Sequence, residues 1–205
     1  MADLEHLLVA EAGTDAESRY AIMVGVHVDD PAAVAARLTE LGDGLVVKVL
    51  RDVSFEITIA FSSKQKLATF GDDGQYALLS QIVRHRFISS RPRPIEGYPL
   101  AVHLPRGIPC DPSWFDAYLS GASLGRVRVH TTIESADDRI LALPRLVARL
   151  FLEALEDDDG RPGAARDRYD AIAPLVTHVE DIGLGVSYLR GGTGASSIVR
   201  SSLSS

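Results

Sequence analysis

Three histidines are predicted to lie on β-strands, and imidazole is the side chain best suited to move a proton near neutral pH. They are His27, His103 and His130. Arg126 or Arg128 would add a positive charge close to His130 in sequence. If these side chains converge in one cavity, they predict a small-molecule or phosphate site, or a phosphoryl-directed enzyme. Dispersal over separate faces of a sheet would remove that hypothesis.

One of these histidines begins a short motif. The segment His130-Thr131-Thr132 is similar to the His-x-Thr motif of two-histidine phosphoesterases, in which histidine moves a proton and threonine holds a phosphate oxygen. Such a site needs two copies of the motif. The other two histidines are followed by Val28-Asp29 and Leu104-Pro105, without the threonine. A partly buried strand histidine is therefore the favoured interpretation, while a pairing of His27 with His130 stays open.

A metal site is the next candidate, since His103, Cys110 and His130 are all residue types that bind zinc or iron. No Cys-x-x-Cys or His-x-x-x-His pair is present to organise a metal ion. Cys110 is interpreted as a small packed residue, and neither a metal nor another cofactor is predicted. Most of the aspartate pairs precede predicted helices, where they cap backbone amides.

Charge and composition predict the partners. The chain of 205 residues has 21 basic and 28 acidic residues, a net charge of −7, which disfavours binding to phosphate backbones. The closest group of arginines, between Arg84 and Arg93, is interrupted by Pro92. We therefore predict no nucleic acid and no membrane as partner. One cysteine and an acidic amino-terminal segment predict a cytoplasmic protein.

The carboxyl-terminal segment has two interpretations. A glycine-rich loop after a strand suits phosphate binding, but the lysine of a P-loop is absent. Alternatively, Leu189-Arg190-Gly191-Gly192 resembles the carboxyl terminus of ubiquitin-like modifiers. That resemblance implies a precursor cleaved after Gly192. Residues 191–205 are predicted to form a flexible Gly/Ser-rich tail.

The elements that position these residues follow from hydrophobic periodicity and turn signals. The first half predicts the order β-α-β-β-α-β, which is typical of a ferredoxin-like sheet. Residues 6–10 predict either an edge strand or a short helix. The predicted elements are strands at 20–28, 45–50, 55–61 and 100–103, and helices at 31–41 and 72–83.

The second half is predicted to be mainly helical and to pack on the first half. Prolines concentrate between Pro92 and Pro112, which places a possible sub-boundary at 88–112. A strand at 127–133, helices at 135–156 and 164–182, and a last strand at 184–189 follow. The fold class is α+β, with residues 1–190 as a single domain.

Function is predicted largely from the lack of a convincing catalytic motif. The favoured hypothesis is a non-catalytic cytoplasmic subunit for protein interaction or assembly, with a protein partner or self-association into a homo-oligomer. Trp114, Tyr118 and the tail are its predicted contacts, because aromatic side chains are enriched at protein interfaces.

Overall fold

Seven β-strands form one mixed sheet in the computed structural model, which describes residues 5–37, 55–89, 98–105, 113, 129–135, 139–157 and 164–189. The spatial order is β5-β4-β1-β2-β3-β6-β7. Neighbours are antiparallel from β1 to β3 and between β6 and β7, whereas β1/β4, β4/β5 and β3/β6 are parallel. The strands are β1 (Glu5–Ala12), β2 (Tyr20–Val28), β3 (Phe55–Ser63), β4 (Tyr98–Leu104), β5 (Val129–Ser135), β6 (Val176–Asp181) and β7 (Val186–Leu189).

Helices connect these strands. Helix α1 is described over 31–37, and its start is capped as predicted, since Asp30 Oδ1 accepts the amide hydrogens of Ala32 and Ala33, both at 3.0 Å. The other helices are α2 (Lys64–Leu67), α3 (Gly74–Ser89), α4 (Ala142–Glu156) and α5 (Ala164–Ile172), with 3-10 turns at Ala68–Asp73 and Ala173–Leu175. Within the described ranges, no helix is long and apolar enough to cross a membrane.

The two faces of the sheet carry separate hydrophobic clusters. Side chains alternate along β1, so that Leu7 and Val9 pack with α3, whereas Leu8 packs with α4. We call these the α3 face and the α4 face. Both clusters consist of residues with almost no exposed surface. The sheet is therefore covered on both sides along its central strands.

The ferredoxin-like order is not confirmed, although the chain is a mixed α/β protein. The position of β1 distinguishes the observed sheet from the predicted one. The sequence predicted an edge strand or a short helix for this segment. It lies instead between β2 and β4 in the middle of the sheet. All four residues from Leu7 to Ala10 are buried, as expected for a strand covered on both faces. The predicted strand at 45–50 lies outside the described residues.

One helix prediction in the second half is wrong. A single helix was predicted over 164–182, but α5 ends at Ile172, and Pro174 follows in the 3-10 turn. Residues Val176–Asp181 form β6, which pairs with β3. The β-branched residues Val176, Thr177 and Val179 favour this strand. The apolar residues Leu175, Val176 and Val179 also fit a helical spacing, which is why the sequence predicts a helix here.

Candidate functional site at the carboxyl edge of the sheet

The strand order creates a specific edge where a ligand site is expected. β1, β3, β4, β5 and β6 all run in the same direction, so their carboxyl ends share one edge, which we call the carboxyl edge. From β1 the chain moves through β2 to β3 on one side, and β4 then lies on the other side of β1. In open α/β sheets, ligands bind at the carboxyl ends of strands where the order reverses. Here that position is the end of β1.

Glu11 occupies this position. It is the penultimate residue of β1 and lies opposite Met23 of β2, which places it on the α3 face. Its side chain is partly buried, and this burial raises the pKa of the carboxyl group above its usual range. Gln75, the second residue of α3, donates a long hydrogen bond of 3.4 Å from Nε2 to Glu11 Oε2. A helix start and a strand end therefore meet at one carboxylate.

The loop after Glu11 is held by several hydrogen bonds. Gly13 has φ of 74°, and a side chain there would collide with the carbonyl oxygen of Tyr20. Asp15 accepts hydrogen bonds from the backbone and hydroxyl of Ser18 at 2.7 and 2.9 Å, and these bonds lower the pKa of Asp15. Lys64 at the start of α2 donates from Nζ to the carbonyl oxygen of Asp15. The end of β1 is thus fixed to the end of β3.

Asp181, at the carboxyl end of β6, has a structural role. Its Oδ1 accepts the amide hydrogens of Gly183 and Leu184 at 2.9 and 3.2 Å, which forms the turn into β7. Burial raises the pKa of Asp181, although these two hydrogen bonds act in the opposite direction. Asp181 accepts both hydrogen bonds from residues two and three positions further along the chain. Formation of this turn is therefore a sufficient role for its side chain.

The structure separates two of the predicted histidines. His27 lies opposite Leu7 on the α3 face, with its Nδ1 3.0 Å from Glu5 Oε1. His103 lies opposite Leu8 on the α4 face, with its Nε2 3.0 Å from His6 Nδ1. Residues directly opposite each other in a sheet share a face, so the sheet itself lies between the two imidazoles. His27 and His103 therefore do not share a cavity, and the pairing of His27 with His130 stays a prediction.

The remaining predicted residues are described only in part or not at all. The backbone of His130 lies opposite Pro99 in β5, but its side chain is outside the described part of the structure. Arg126, Arg128, Trp114, Tyr118 and Gly192 also lie outside the described residues, as do Cys110 and the tail 191–205. Among the side chains that are described, no three His, Cys, Asp or Glu residues converge into a group that could hold a metal ion.

Two histidine contacts were not predicted from the sequence. His6 and His103 meet nitrogen to nitrogen, with ring centroids 5.3 Å apart. By contrast, His85 of α3 and His178 of β6 stack face to face, with ring centroids 3.7 Å apart and planes inclined by only 6°. Glu180 Oε2 lies 3.5 Å from His178 Nε2. These pairs depend on strand order and helix placement, so local sequence patterns do not reveal them.

Glu11 was also missed. The available signal was an acidic residue that directly follows the apolar run 7–10 and precedes a glycine at a turn. That signal becomes meaningful only when the run is assigned as a central strand. From the sequence alone, residues 6–10 fit a strand or a helix, so the end of the run carries no expectation of a site.

Comparisons with known proteins give likenesses in structure only. No family model matches the chain, and no curated protein matches its sequence. A chain in the structure of the PCNA:RNase HII complex from Archaeoglobus fulgidus is 16% identical, with a TM-score of 0.47 over 79% of this chain and 81% of that one. A point mutant of Bst-RNase HIII is 14% identical, with a TM-score of 0.48 over 98% and 70%. Ribonuclease H2 from Pyrococcus horikoshii OT3 is 12% identical, with a TM-score of 0.41 over 98% and 99%.

Two predictions disagree with the names of these neighbours. All three structures are named for ribonucleases, which are enzymes, and this contradicts the prediction of a non-catalytic interaction or assembly subunit. A ribonuclease acts on nucleic acid, and this contradicts the prediction that excluded nucleic acid as a partner. At 12 to 16% identity the likeness concerns the arrangement of the chain. The roles of individual residues must come from the geometry of this chain.

Proposed function

We propose that this protein is a hydrolase of phosphodiester bonds in nucleic acid, with Glu11 as its general base. The observation that carries the proposal is a partly buried carboxyl group of raised pKa at the end of β1, where the strand order reverses. Proteins raise the pKa of a glutamate in this way when it exchanges protons with substrate. The substrate class to test first is RNA, because the neighbours above are named ribonucleases.

The proposed reaction is hydrolysis at one phosphorus atom. The carboxylate of Glu11 takes a proton from a water molecule, whose oxygen forms a bond to phosphorus. The bond from phosphorus to the leaving oxygen breaks, and that oxygen takes up the proton which Glu11 then returns. Gln75 orients the carboxylate through its contact with Oε2. No step is assigned to a metal ion, since the described side chains form no metal-binding group.

Positive charge near this edge favours approach of a phosphate backbone. Lys64 and Lys66 of α2 directly follow the carboxyl end of β3, and Lys66 is exposed. Arg19 immediately precedes β2 at the same edge. Because the whole chain carries a net charge of −7, local cations of this kind are required for any binding to nucleic acid.

The test is cleavage of an end-labelled RNA, alone and paired with DNA, in buffer with Mg²⁺ and in buffer with a chelator. We expect cleavage by the wild-type protein and a loss of about 100-fold or more in Glu11→Gln, which removes the base but keeps the size of the side chain. Glu17→Gln, in the exposed loop after β1, is the matched control and should retain the full rate. No cleavage by wild type in any buffer, or equal rates for wild type and Glu11→Gln, would contradict the proposal.

A further inference from the structure

The stacked pair of His85 and His178 joins α3 to the sheet. His85 lies in the carboxyl-terminal half of α3, and His178 is a buried residue of β6, with 5% of its surface exposed. Their rings are almost parallel at a centroid distance of 3.7 Å. Such a stack suits two neutral imidazoles, or one neutral and one charged. Two charged imidazoles at this distance repel each other strongly, because little water lies between them.

His178 has a different environment at each ring nitrogen. Glu180 lies 3.5 Å from Nε2, so a ring hydrogen on that nitrogen faces a carboxylate. The opposite nitrogen, Nδ1, is buried and has no hydrogen-bond partner among the residues that the structure describes. A second proton on the ring would place an N–H group there without an acceptor, which is costly in a buried position.

Other titratable groups lie on the same face. Glu56 and Thr58 of β3 lie opposite His27 and Gly25 of β2, and Thr58 in turn lies opposite His178. The titratable residues that the strands around the stack place on this face are Glu5 and Glu11 of β1, His27 of β2, Glu56 of β3 and Glu180 of β6, and the charged Arg84 precedes His85 in α3. Glu5 is paired with His27, and Glu180 is paired with His178 of the stack.

We propose that the His85–His178 stack is an acid-sensitive latch, which holds the carboxyl-terminal half of α3 on the sheet and releases it when both imidazoles are protonated. Imidazole is the side chain that most often changes charge under mildly acidic conditions, so acid is the trigger to test.

Hydrogen exchange measured by mass spectrometry on the full chain tests the latch without any assay of activity. After correction for intrinsic rates, we expect amides in the carboxyl-terminal half of α3 to exchange about tenfold faster at about pH 5 than at about pH 7.5, while those of α4 change little. His85→Phe keeps a flat ring but cannot be protonated, so its α3 should stay protected at both values. His6→Phe alters the histidine pair on the opposite face and should behave as wild type.

Two results would overturn the latch: unchanged protection of α3 in wild type, or the same acid-induced loss in His85→Phe. If His85→Phe does not fold, nuclear magnetic resonance of the wild-type imidazoles gives a second test. Coupled rings titrate in two separated steps, and independent single-step titrations of His85 and His178 would contradict the proposal. A failure of Glu11→Gln to affect hydrolysis would leave both of these measurements unaffected.

Discussion

A carboxyl group whose pKa is raised by burial makes the folded state less stable at neutral pH than an uncharged group would. Folded Glu11 keeps its proton to a higher pH than it does in the unfolded chain. Between the ordinary pKa and the raised pKa the folded state binds more protons, so the free energy of unfolding falls as the pH rises through this window. The burial of the Glu11 carboxylate therefore lowers the stability of the folded state at neutral pH. Such a loss of stability is common where a site is built for function.

We therefore expect Glu11→Gln to raise the free energy of unfolding at about pH 7 and to leave it nearly unchanged at about pH 4. Urea denaturation at the two values measures this difference. Glu17→Gln controls for the loss of one negative charge from the surface. A Glu11→Gln protein that is less stable than wild type at neutral pH would show that the carboxylate is needed for folding.

Tyr169 presents a different buried group. Its ring is 1% exposed and packs against Phe151, with ring centroids 5.2 Å apart. Burial, and then the nearby charge of Asp170, raises the pKa of Tyr169 far above its usual range. Its hydroxyl group has no hydrogen-bond partner among the described residues. A buried hydroxyl without a partner opposes folding.

We expect Tyr169→Phe to keep the free energy of unfolding or to raise it by about 1 kcal/mol, because it removes only this hydroxyl. Tyr169→Ala should lower it by about 3 kcal/mol or more, because it leaves a cavity in the core. Chemical denaturation measures both variants. A loss in Tyr169→Phe above about 1 kcal/mol would mean that the hydroxyl does have a partner.

Helix α3 approaches the sheet closely at one residue of β2. It crosses β2 at Gly25, where an added Cβ would collide with Cγ2 of Ile82. A glycine in a strand interior is otherwise unfavourable, and its use here allows the helix to approach. The position of α3, and with it of Gln75 and His85, therefore depends on one missing side chain.

Gly25→Ala should lower the free energy of unfolding by about 1 to 3 kcal/mol through overpacking. Ile82→Ala alone should cost about 2 to 5 kcal/mol. The double variant should cost clearly less than the sum, because the cavity at Ile82 receives the new methyl group. Gly25→Ala combined with Val83→Ala, at a neighbouring buried position of α3, is the control and should be additive. Additivity in the Ile82 pair would show that α3 is not held at this contact.

Local sequence patterns predicted those elements whose apolar spacing and bounding turn residues all lie within one short segment. Strand β2 was predicted at 20–28 with its observed bounds. Pairing between distant segments was not predictable in this way. The apolar run 7–10 fits a strand or a buried helix equally well until β4 is known to lie beside it. The candidate site at Glu11 depends on that pairing, and so it was missed.

For the whole molecule, two hydrophobic clusters share one sheet. Leu79 of α3 and Leu155 of α4 lie on opposite faces, and both are 1% exposed. Because β1 and β2 contribute to both clusters, loss of either cluster also exposes the strands that hold the other. The two clusters should therefore unfold together, as the prediction of a single domain over 1–190 requires.

Leu79→Ala and Leu155→Ala should each lower the midpoint of one common thermal transition, at a cost of about 2 to 5 kcal/mol. Scanning calorimetry together with far-ultraviolet circular dichroism gives the measurement. Two separate transitions, each sensitive to only one of the variants, would instead indicate that the faces fold independently.

The position of β1 also has a consequence for the order in which the chain folds. β1, β2 and β3 form antiparallel neighbours, but the other side of β1 pairs with β4, which begins at Tyr98. During synthesis, β1 therefore has one row of backbone hydrogen-bonding groups without its strand partner until residues 98–104 have left the ribosome. Parallel pairs of this separation form slowly, and an open apolar strand is prone to aggregate. Production at low temperature, where hydrophobic association is weaker, should therefore favour the correctly paired sheet.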